Sequence, residues 1–147
     1  MSKLQTSKIY AILLAVILAG ATLTPASQAQ DLENALIVNV PFAFQNGRQH
    51  LPAGLYTISM NNQHIAKIQG DSKSGFALTW FNEDSQPSKT SKVVFRKYGD
   101  QYFLHEIWLA GDTSYTYFLP SKAEKLEISA NRAAATNVVV AALDPSH

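Results

Sequence analysis

The chain has 147 residues, of which 12 are lysine or arginine and 11 are aspartate or glutamate, and it contains no cysteine. A charge balance this close to neutral, with the cations scattered along the chain, excludes the dense basic surface that binds nucleic acid or anionic lipid. The lack of cysteine excludes disulfide bonds, thiol nucleophiles, thiolate metal sites and a lipid-modified N-terminal cysteine.

The N-terminal segment has the features of a secretory signal. Lys3 and Lys8 precede an apolar run over 9–23, and small residues follow it up to Ala29. The run is short for a membrane-spanning helix, which argues against the alternative of an uncleaved anchor. We therefore predict a signal peptide over 1–29, export to the periplasm or the medium, and no membrane span after cleavage.

The remaining chain, 30–147, is long enough for one domain with its own core. From Leu36 onward, apolar and polar side chains alternate at the period of half-buried strands. Asn46-Gly47 is a favoured pair for a two-residue hairpin turn, and we predict a turn at these two residues.

The stretch LPAGLYTI, 51–58, is predicted to be a turn that leads into a strand. Pro52 fixes φ at the first corner, and Gly54 is expected to take the left-handed conformation that closes the turn. Further along, Phe76, Leu78 and Trp80 are predicted to form one apolar face of another strand.

The strongest strand signal lies over 92–119. Gly99-Asp100 predicts a tight hairpin turn, whose register places Phe95 opposite Leu104 and Val94 opposite His105. Gly111-Asp112 predicts a second reversal. Because short reversals join every adjacent pair of strands, the order predicts an antiparallel meander.

The C-terminal part changes character after Pro120. Ser121 and Glu124 form a capping box, which predicts a helix over about 122–135 with an apolar stripe that includes Leu126. The β-branched run over 137–142 predicts a last strand. The sequence therefore predicts an all-β fold, an antiparallel meander of about seven or eight strands that forms a small barrel or a sandwich, with one C-terminal helix.

The residues that we select as a candidate site lie on the predicted strand over 101–109. One face would carry Tyr102, Leu104, Glu106 and Trp108, and these side chains are predicted to contact a ligand or partner. His105 would lie among apolar side chains on the opposite face from Glu106, so the two would not act together. The alternative for all these aromatic residues is ordinary cross-strand packing.

No catalytic or metal-binding pattern is present in the sequence. The histidines lack the paired spacing of a preformed metal site, and no Gly-x-Ser-x-Gly elbow or phosphate-binding glycine loop occurs. We therefore assign no catalytic residues, no metal and no cofactor.

Four segments together resemble a family of small exported β-rich proteins from environmental bacteria. They are VNVPFAFQNG over 38–47, LPAGLYTI, VVFRKYGDQYFLHEIW over 93–108, and LPSKAEKLE over 119–127. The resemblance implies export and a β-rich fold, and it implies no assigned activity and no catalytic residues. Members commonly carry an acidic residue where this chain has Ala43. The short Pro-Ala-Gly-x-Tyr element also resembles a turn and strand of prealbumin-like and carboxypeptidase-regulatory-like sandwich modules.

The expected function is that of a non-enzymatic binding or interaction module of the bacterial envelope or medium, with a protein, polymer or small ligand as partner. A lipocalin-like carrier of a small apolar ligand is the alternative, and a hydrolase is the third. A carrier requires a cavity of several hundred cubic ångströms, on the order of known ligand pockets. An interaction module requires a contiguous surface patch with exposed aromatic side chains, and a hydrolase requires a histidine in a cleft beside a carboxylate or hydroxyl.

Overall fold

The computed structural model describes residues 35–61, 64–130 and 135–143. The predicted signal peptide, 1–29, and the end of the predicted helix, 131–134, lie outside the described residues. No helix within the described ranges is long and apolar enough to cross a membrane.

Strands dominate the described chain. In chain order the elements are β1 Ala35–Val40, β2 Phe44–Asn46, β3 Gln49–Leu51, β4 Gly54–Asn61, β5 Ile65–Gly70, β6 Ser74–Leu78, β7 Trp80–Glu83, β8 Lys92–Tyr98, β9 Gln101–Trp108, β10 Ser114–Tyr117, α1 Lys122–Ala130 and β11 Thr136–Leu143. The predicted last strand is confirmed.

These strands form a nearly closed, barrel-like sheet. β1, β4, β5 and β6 pair in that order, and β8, β9 and β10 pair in that order, all antiparallel. β11 lies between β8 and β1 and joins the two groups on one side. On the other side only Thr79 separates β6, which pairs with β5, from β7, which pairs with β10. The predicted all-β fold is confirmed in its barrel-like form, but the described chain has eleven strands and not seven or eight, and β2 pairs with β9 in parallel.

Aliphatic and aromatic side chains fill the barrel interior. Val38, Ile58 and Phe95, from β1, β4 and β8, are each at most 2% exposed. The short β2–β3 hairpin adds Phe44 and Leu51, which are opposite each other and also buried. The Phe44 ring centroid lies 5.1 Å from that of Phe95, at a steep angle typical of aromatic packing.

The LPAG stretch is a connection between strands, as the sequence predicts. The Tyr56 hydroxyl donates a 2.6 Å hydrogen bond to the Pro52 carbonyl oxygen. This bond from the following strand stabilises the turn. Gly54 has a φ of 157°, which is positive but close to extended rather than left-handed helical. The hairpin turn before it is shifted by one residue from the prediction, because Asn46 still pairs with Gln49 and the turn consists of Gly47-Arg48.

The apolar faces predicted for β6 and for α1 are both wrong, because other side chains of these two elements face the core. Phe76 and Leu78 are 66% and 65% exposed, because this side of β6 faces outward. On α1, Leu126 is 62% exposed, whereas Glu124 is buried. The helix therefore packs on the barrel through a carboxyl-bearing side and not through its apolar stripe.

Candidate functional site

A β-bulge in β9 sets the geometry of the candidate site. Phe95 lies opposite Leu104 as predicted, but Val94 lies opposite Glu106 and not His105. His105 is the extra residue of the bulge, so side chains beyond it switch faces. The expected common face is therefore divided, because Leu104 belongs to the core whereas Glu106 continues the outer surface.

Tyr102 and Trp108, the two aromatic residues of the predicted face, are also separated. Tyr102 packs against the core at one end of the barrel, where its ring is stacked on that of Phe42 at 3.9 Å. Trp108 lies opposite Tyr115 of β10, and the two rings are stacked with centroids 4.3 Å apart. The Lys92 ammonium lies 4.9 Å from the Trp108 ring centroid, within range of a cation–π interaction.

The bulge brings His105 and Glu106 into direct contact, so the expectation that they cannot act together is wrong. The His105 Nε2 atom lies 3.2 Å from Glu106 Oε1, and Trp108 Nε1 donates a 2.9 Å hydrogen bond to Glu106 Oε2. The pKa of Glu106 is lowered, mainly by the hydrogen bond from His105. The hydrogen bond from Trp108 and the positive charge of Arg96 lower the pKa further, whereas desolvation of the carboxyl group raises it in part. Glu106 is therefore held as a carboxylate.

Two rows of outward side chains cross the strands beside this pair. Asn82, Tyr115 and Trp108 lie opposite one another on β7, β10 and β9. Trp80, Tyr117 and Glu106 form the adjacent row on the same three strands. The rows place four aromatic rings on one outer surface, which we call the aromatic face: Trp80, Tyr117, Tyr115 and Trp108.

The rings of the aromatic face follow one another without a gap. The centroids of Tyr115 and Tyr117 are 6.4 Å apart, and those of Tyr117 and Trp80 are also 6.4 Å apart. Trp80 is 38% exposed, and the other three side chains are half-buried. The face therefore presents ring surface to solvent.

A cleft of about 310 Å³ opens between the aromatic face and the segment that follows β10. Its polar lining consists of Asn82, Arg96, His105 and Glu106, together with the side chains of Tyr115 and Tyr117. The Asn82 amide donates a 2.8 Å hydrogen bond to the Tyr115 hydroxyl. His105, only 8% exposed, is buried at the cleft wall.

The start of α1 follows Pro120, which lines this cleft, and it carries a buried carboxyl group, that of Glu124, which lines the second concavity described below. The Ser121 hydroxyl accepts a 3.1 Å hydrogen bond from the Glu124 backbone N–H, which confirms Ser121 as the helix cap. The Glu124 side chain contacts the Tyr98 hydroxyl at 3.4 Å. Burial raises the pKa of Glu124, and the positive charge of Arg96 opposes that rise only in part.

A second concavity, the apolar groove, lies on the other side of residues 118–119. Its volume is about 410 Å³, and its exposed apolar lining includes Phe76, Leu78 and Leu119. The buried Asn46 also lines it, and the Nδ2 atom of this residue has no hydrogen-bond partner. This groove lies outside the filled interior of the barrel.

Sequence reasoning selected His105, Glu106 and Trp108, which the structure does bring together at the cleft, but it did not place Asn82 and Tyr115 beside them. Asn82 and Tyr115 are 33 positions apart in sequence, so no local pattern pairs them. The alternation of Tyr115 with Tyr117 was the available signal. Among the described residues, no group of three or more histidine, aspartate and glutamate side chains is arranged to hold a metal ion.

No family model, curated protein or solved structure matches the chain.

Proposed function

We propose that the protein is an exported, non-enzymatic binding module that holds its partner on the aromatic face. The observation that carries the proposal is the unbroken series of rings from Trp108 to Trp80 on an outward side of the sheet. Large aromatic side chains on a solvent-facing surface, with polar groups around them, are typical of interaction sites. The cleft beside the rings supplies the polar groups that would fix the orientation of a partner.

The binding proposal is tested by sedimentation with isolated bacterial envelope material. Purified protein is expected to sediment with the envelope, and the double variant Trp80→Ala/Tyr117→Ala is expected to stay in the supernatant because two of the four rings are lost. Leu126→Ala is the matched control, since it also removes an exposed apolar side chain but lies on α1. Equal sedimentation of the double variant and the control would rule the aromatic face out as the binding surface.

A carrier of a small apolar ligand is the second candidate, and the apolar groove favours it. Its volume of about 410 Å³ is in the range of small-molecule sites. Because Phe44 and Phe95 fill the interior of the barrel, such a ligand would bind in the groove and not inside the barrel. Native mass measurement after periplasmic extraction would detect a co-purified ligand, and Leu78→Glu is expected to abolish its retention.

A hydrolase is the third candidate, and the contact between His105 and Glu106 favours it. A histidine held by a carboxylate in a cleft is the arrangement of a general base. Hydrolysis of a panel of ester and glycoside substrates tests this candidate. Turnover that His105→Gln removes would support it, whereas unchanged turnover in that variant would exclude His105 as the base.

A further inference from the structure

Two kinds of chemical group alternate on the aromatic face and in its cleft. Flat rings, Tyr115 and Tyr117, lie beside planar hydrogen-bonding groups, the Asn82 amide and the Glu106 carboxylate. A ligand that satisfies both kinds needs weakly polar flat sides and a rim that makes hydrogen bonds. A sugar ring has this form, because its C–H groups form the flat sides and its hydroxyl groups form the rim.

The polar groups of the cleft retain capacity for further hydrogen bonds. The Tyr115 hydroxyl accepts the bond from Asn82, so its own hydrogen remains to be donated. Each Glu106 oxygen accepts one bond, from His105 or from Trp108, and keeps a further lone pair. Arg96 brings a guanidinium group with its fork of donors to the same cleft. Hydroxyl groups, which donate and accept, match such a mixed set.

The charges of the cleft favour an uncharged ligand over a polyanion. The Glu106 carboxylate offsets the Arg96 guanidinium within the cleft. The nearby Lys92 ammonium is placed over the Trp108 ring. Within the cleft, an acidic polymer would therefore bring its own charges next to the Glu106 carboxylate, which offsets the attraction of the Arg96 guanidinium.

The backbone of these strands offers little to a peptide. β7, β10, β9 and β8 are hydrogen-bonded to one another in that order, so their central backbone groups are already paired. An extended peptide adds to a sheet through a free strand edge, and the aromatic face is the flat side of the sheet. A ligand that lies on this flat side is therefore recognised through side chains, whereas a peptide would have to add at the edge of β7 that does not pair with β10.

We propose that the partner held on the aromatic face is a neutral polysaccharide chain, whose successive sugar rings stack on Trp80 and Tyr117 while their hydroxyl groups bind in the cleft beside Glu106 and the Tyr115 hydroxyl. This inference rests on the proposed function and names its ligand. The run of adjoining rings suits a polymer with a repeating ring, because neighbouring units can contact neighbouring side chains.

The test is affinity gel electrophoresis of the purified protein in gels that contain dextran, soluble starch, hydroxyethyl cellulose, alginate or poly-L-proline. At least one of the three neutral polysaccharides is expected to retard the protein. Trp80→Ala and Tyr117→Ala are each expected to weaken that binding by about tenfold or more, since each removes a stacking platform. Leu126→Ala is expected to bind as the parent does, and circular dichroism checks that all variants fold.

Two further measurements test the same proposal: the effect of salt on retardation, and the effect of replacing Glu106, which is expected to bind the sugar hydroxyl groups. Retardation by the neutral polymer is expected to change less than about twofold between about 50 and 500 mM NaCl, because no ion pair with the ligand is involved. Glu106→Gln, which keeps the shape of the side chain, is expected to weaken binding less than loss of a ring does.

Three outcomes would overturn the inference. The first is that alginate retards the protein and that salt abolishes this effect. The second is that poly-L-proline retards the protein and the polysaccharides do not. The third is that no neutral polysaccharide retards the protein, although its sedimentation with the envelope still depends on Trp80 and Tyr117. In the last case the aromatic face would remain the binding surface and only its ligand would be wrong. If no neutral polysaccharide retards the protein and its sedimentation with the envelope does not depend on Trp80 and Tyr117, the proposed function is wrong as well.

Discussion

The imidazole of His105 and the carboxylate of Glu106 are in contact at 3.2 Å, although they are consecutive residues of one strand. In a regular strand, successive side chains point to opposite faces of the sheet and cannot meet. The bulge opposite Val94 and Phe95 removes this constraint and brings both groups to the cleft, where His105 stays buried in the wall. One additional residue in β9 thus creates the polar end of the cleft.

Replacement of the paired carboxylate is predicted to destabilise the protein in a pH-dependent way. Because the pKa of Glu106 is lowered in the fold, the carboxylate stabilises the folded state above the unfolded-state pKa, and this contribution is lost as the pH falls through the folded-state pKa. Glu106→Gln is expected to lower the free energy of unfolding by about 1–2 kcal/mol near pH 7, and by less below about pH 4. Urea unfolding at both pH values measures this difference.

The matched control for that experiment is Glu83→Gln, on an exposed side chain of β7. It is expected to leave the free energy of unfolding unchanged at both pH values. A loss in Glu106→Gln that is the same in acid and at neutral pH would show that packing, and not the charge of the carboxylate, is responsible.

The buried carboxyl group of Glu124 is predicted to have the opposite pH dependence. Burial raises its pKa, so the protonated form favours folding; this contribution is complete below the unfolded-state pKa and is lost as the pH rises through the folded-state pKa. Glu124→Gln keeps the shape without the charge. It is expected to match the parent near about pH 4 and to melt at a higher temperature near about pH 8.

A lower melting temperature for Glu124→Gln near about pH 8 would contradict this account. Such a result would mean that attraction to Arg96 outweighs the cost of burying the charge. Thermal melts across the pH range, followed by circular dichroism, distinguish the two outcomes.

The helix cap provides a prediction that does not depend on pH. Ser121→Ala removes the acceptor for the Glu124 N–H, and we expect it to cost about 1 kcal/mol of stability. Ser121→Asp, which restores a capping oxygen, is expected to recover most of the loss. Ser85→Ala, in an exposed loop, is the control and is expected to have no measurable effect.

The close approach of Gly70 to Tyr56 gives a prediction about packing. A Cβ atom at position 70 would lie 2.6 Å from the Tyr56 ring, which is buried and whose hydroxyl is fixed to the Pro52 carbonyl. Gly70→Ala is therefore expected to destabilise the protein by about 1–3 kcal/mol. Ser72→Ala, in the adjoining loop, is expected to be neutral in the same urea titration.

If Gly70→Ala were as stable as the parent, the tyrosine ring would have to move aside without loss. The double variant Gly70→Ala/Tyr56→Phe tests that outcome, since it frees the ring from its hydrogen bond to the turn. If the freed ring moves aside, the double variant is expected to be as stable as Tyr56→Phe alone, whereas a further loss of stability would show that the core confines the ring.

The parts of the fold that follow from local chemistry are predictable from the sequence. The hairpin between Tyr98 and Gln101 depends on a turn glycine with positive φ and on alternation within two adjacent strands. The cap at Ser121 depends on residues three positions apart. In each case the interacting residues are neighbours in the chain, and their pattern is visible in it.

The candidate site depends on features that have no local signature. The bulge at His105 changes the face of Glu106, yet a single extra residue looks the same in sequence as a regular strand. The aromatic face requires β7 to pair with β10 across the intervening β8–β9 hairpin. Burial of Glu124 in place of Leu126 depends on which groups of the barrel lie under the helix, such as the Tyr98 hydroxyl.

The position of β11 between β8 and β1 makes both of these strands depend on a strand that is synthesised after them. Until residues 136–143 are free to pair, one edge of β1 and one edge of β8 remain bare, and bare strand edges recruit other chains. A product that stops short of Thr136 would thus be an open ribbon prone to self-association. Synthesis of β11 is the step that covers these two edges and protects the chain from self-association.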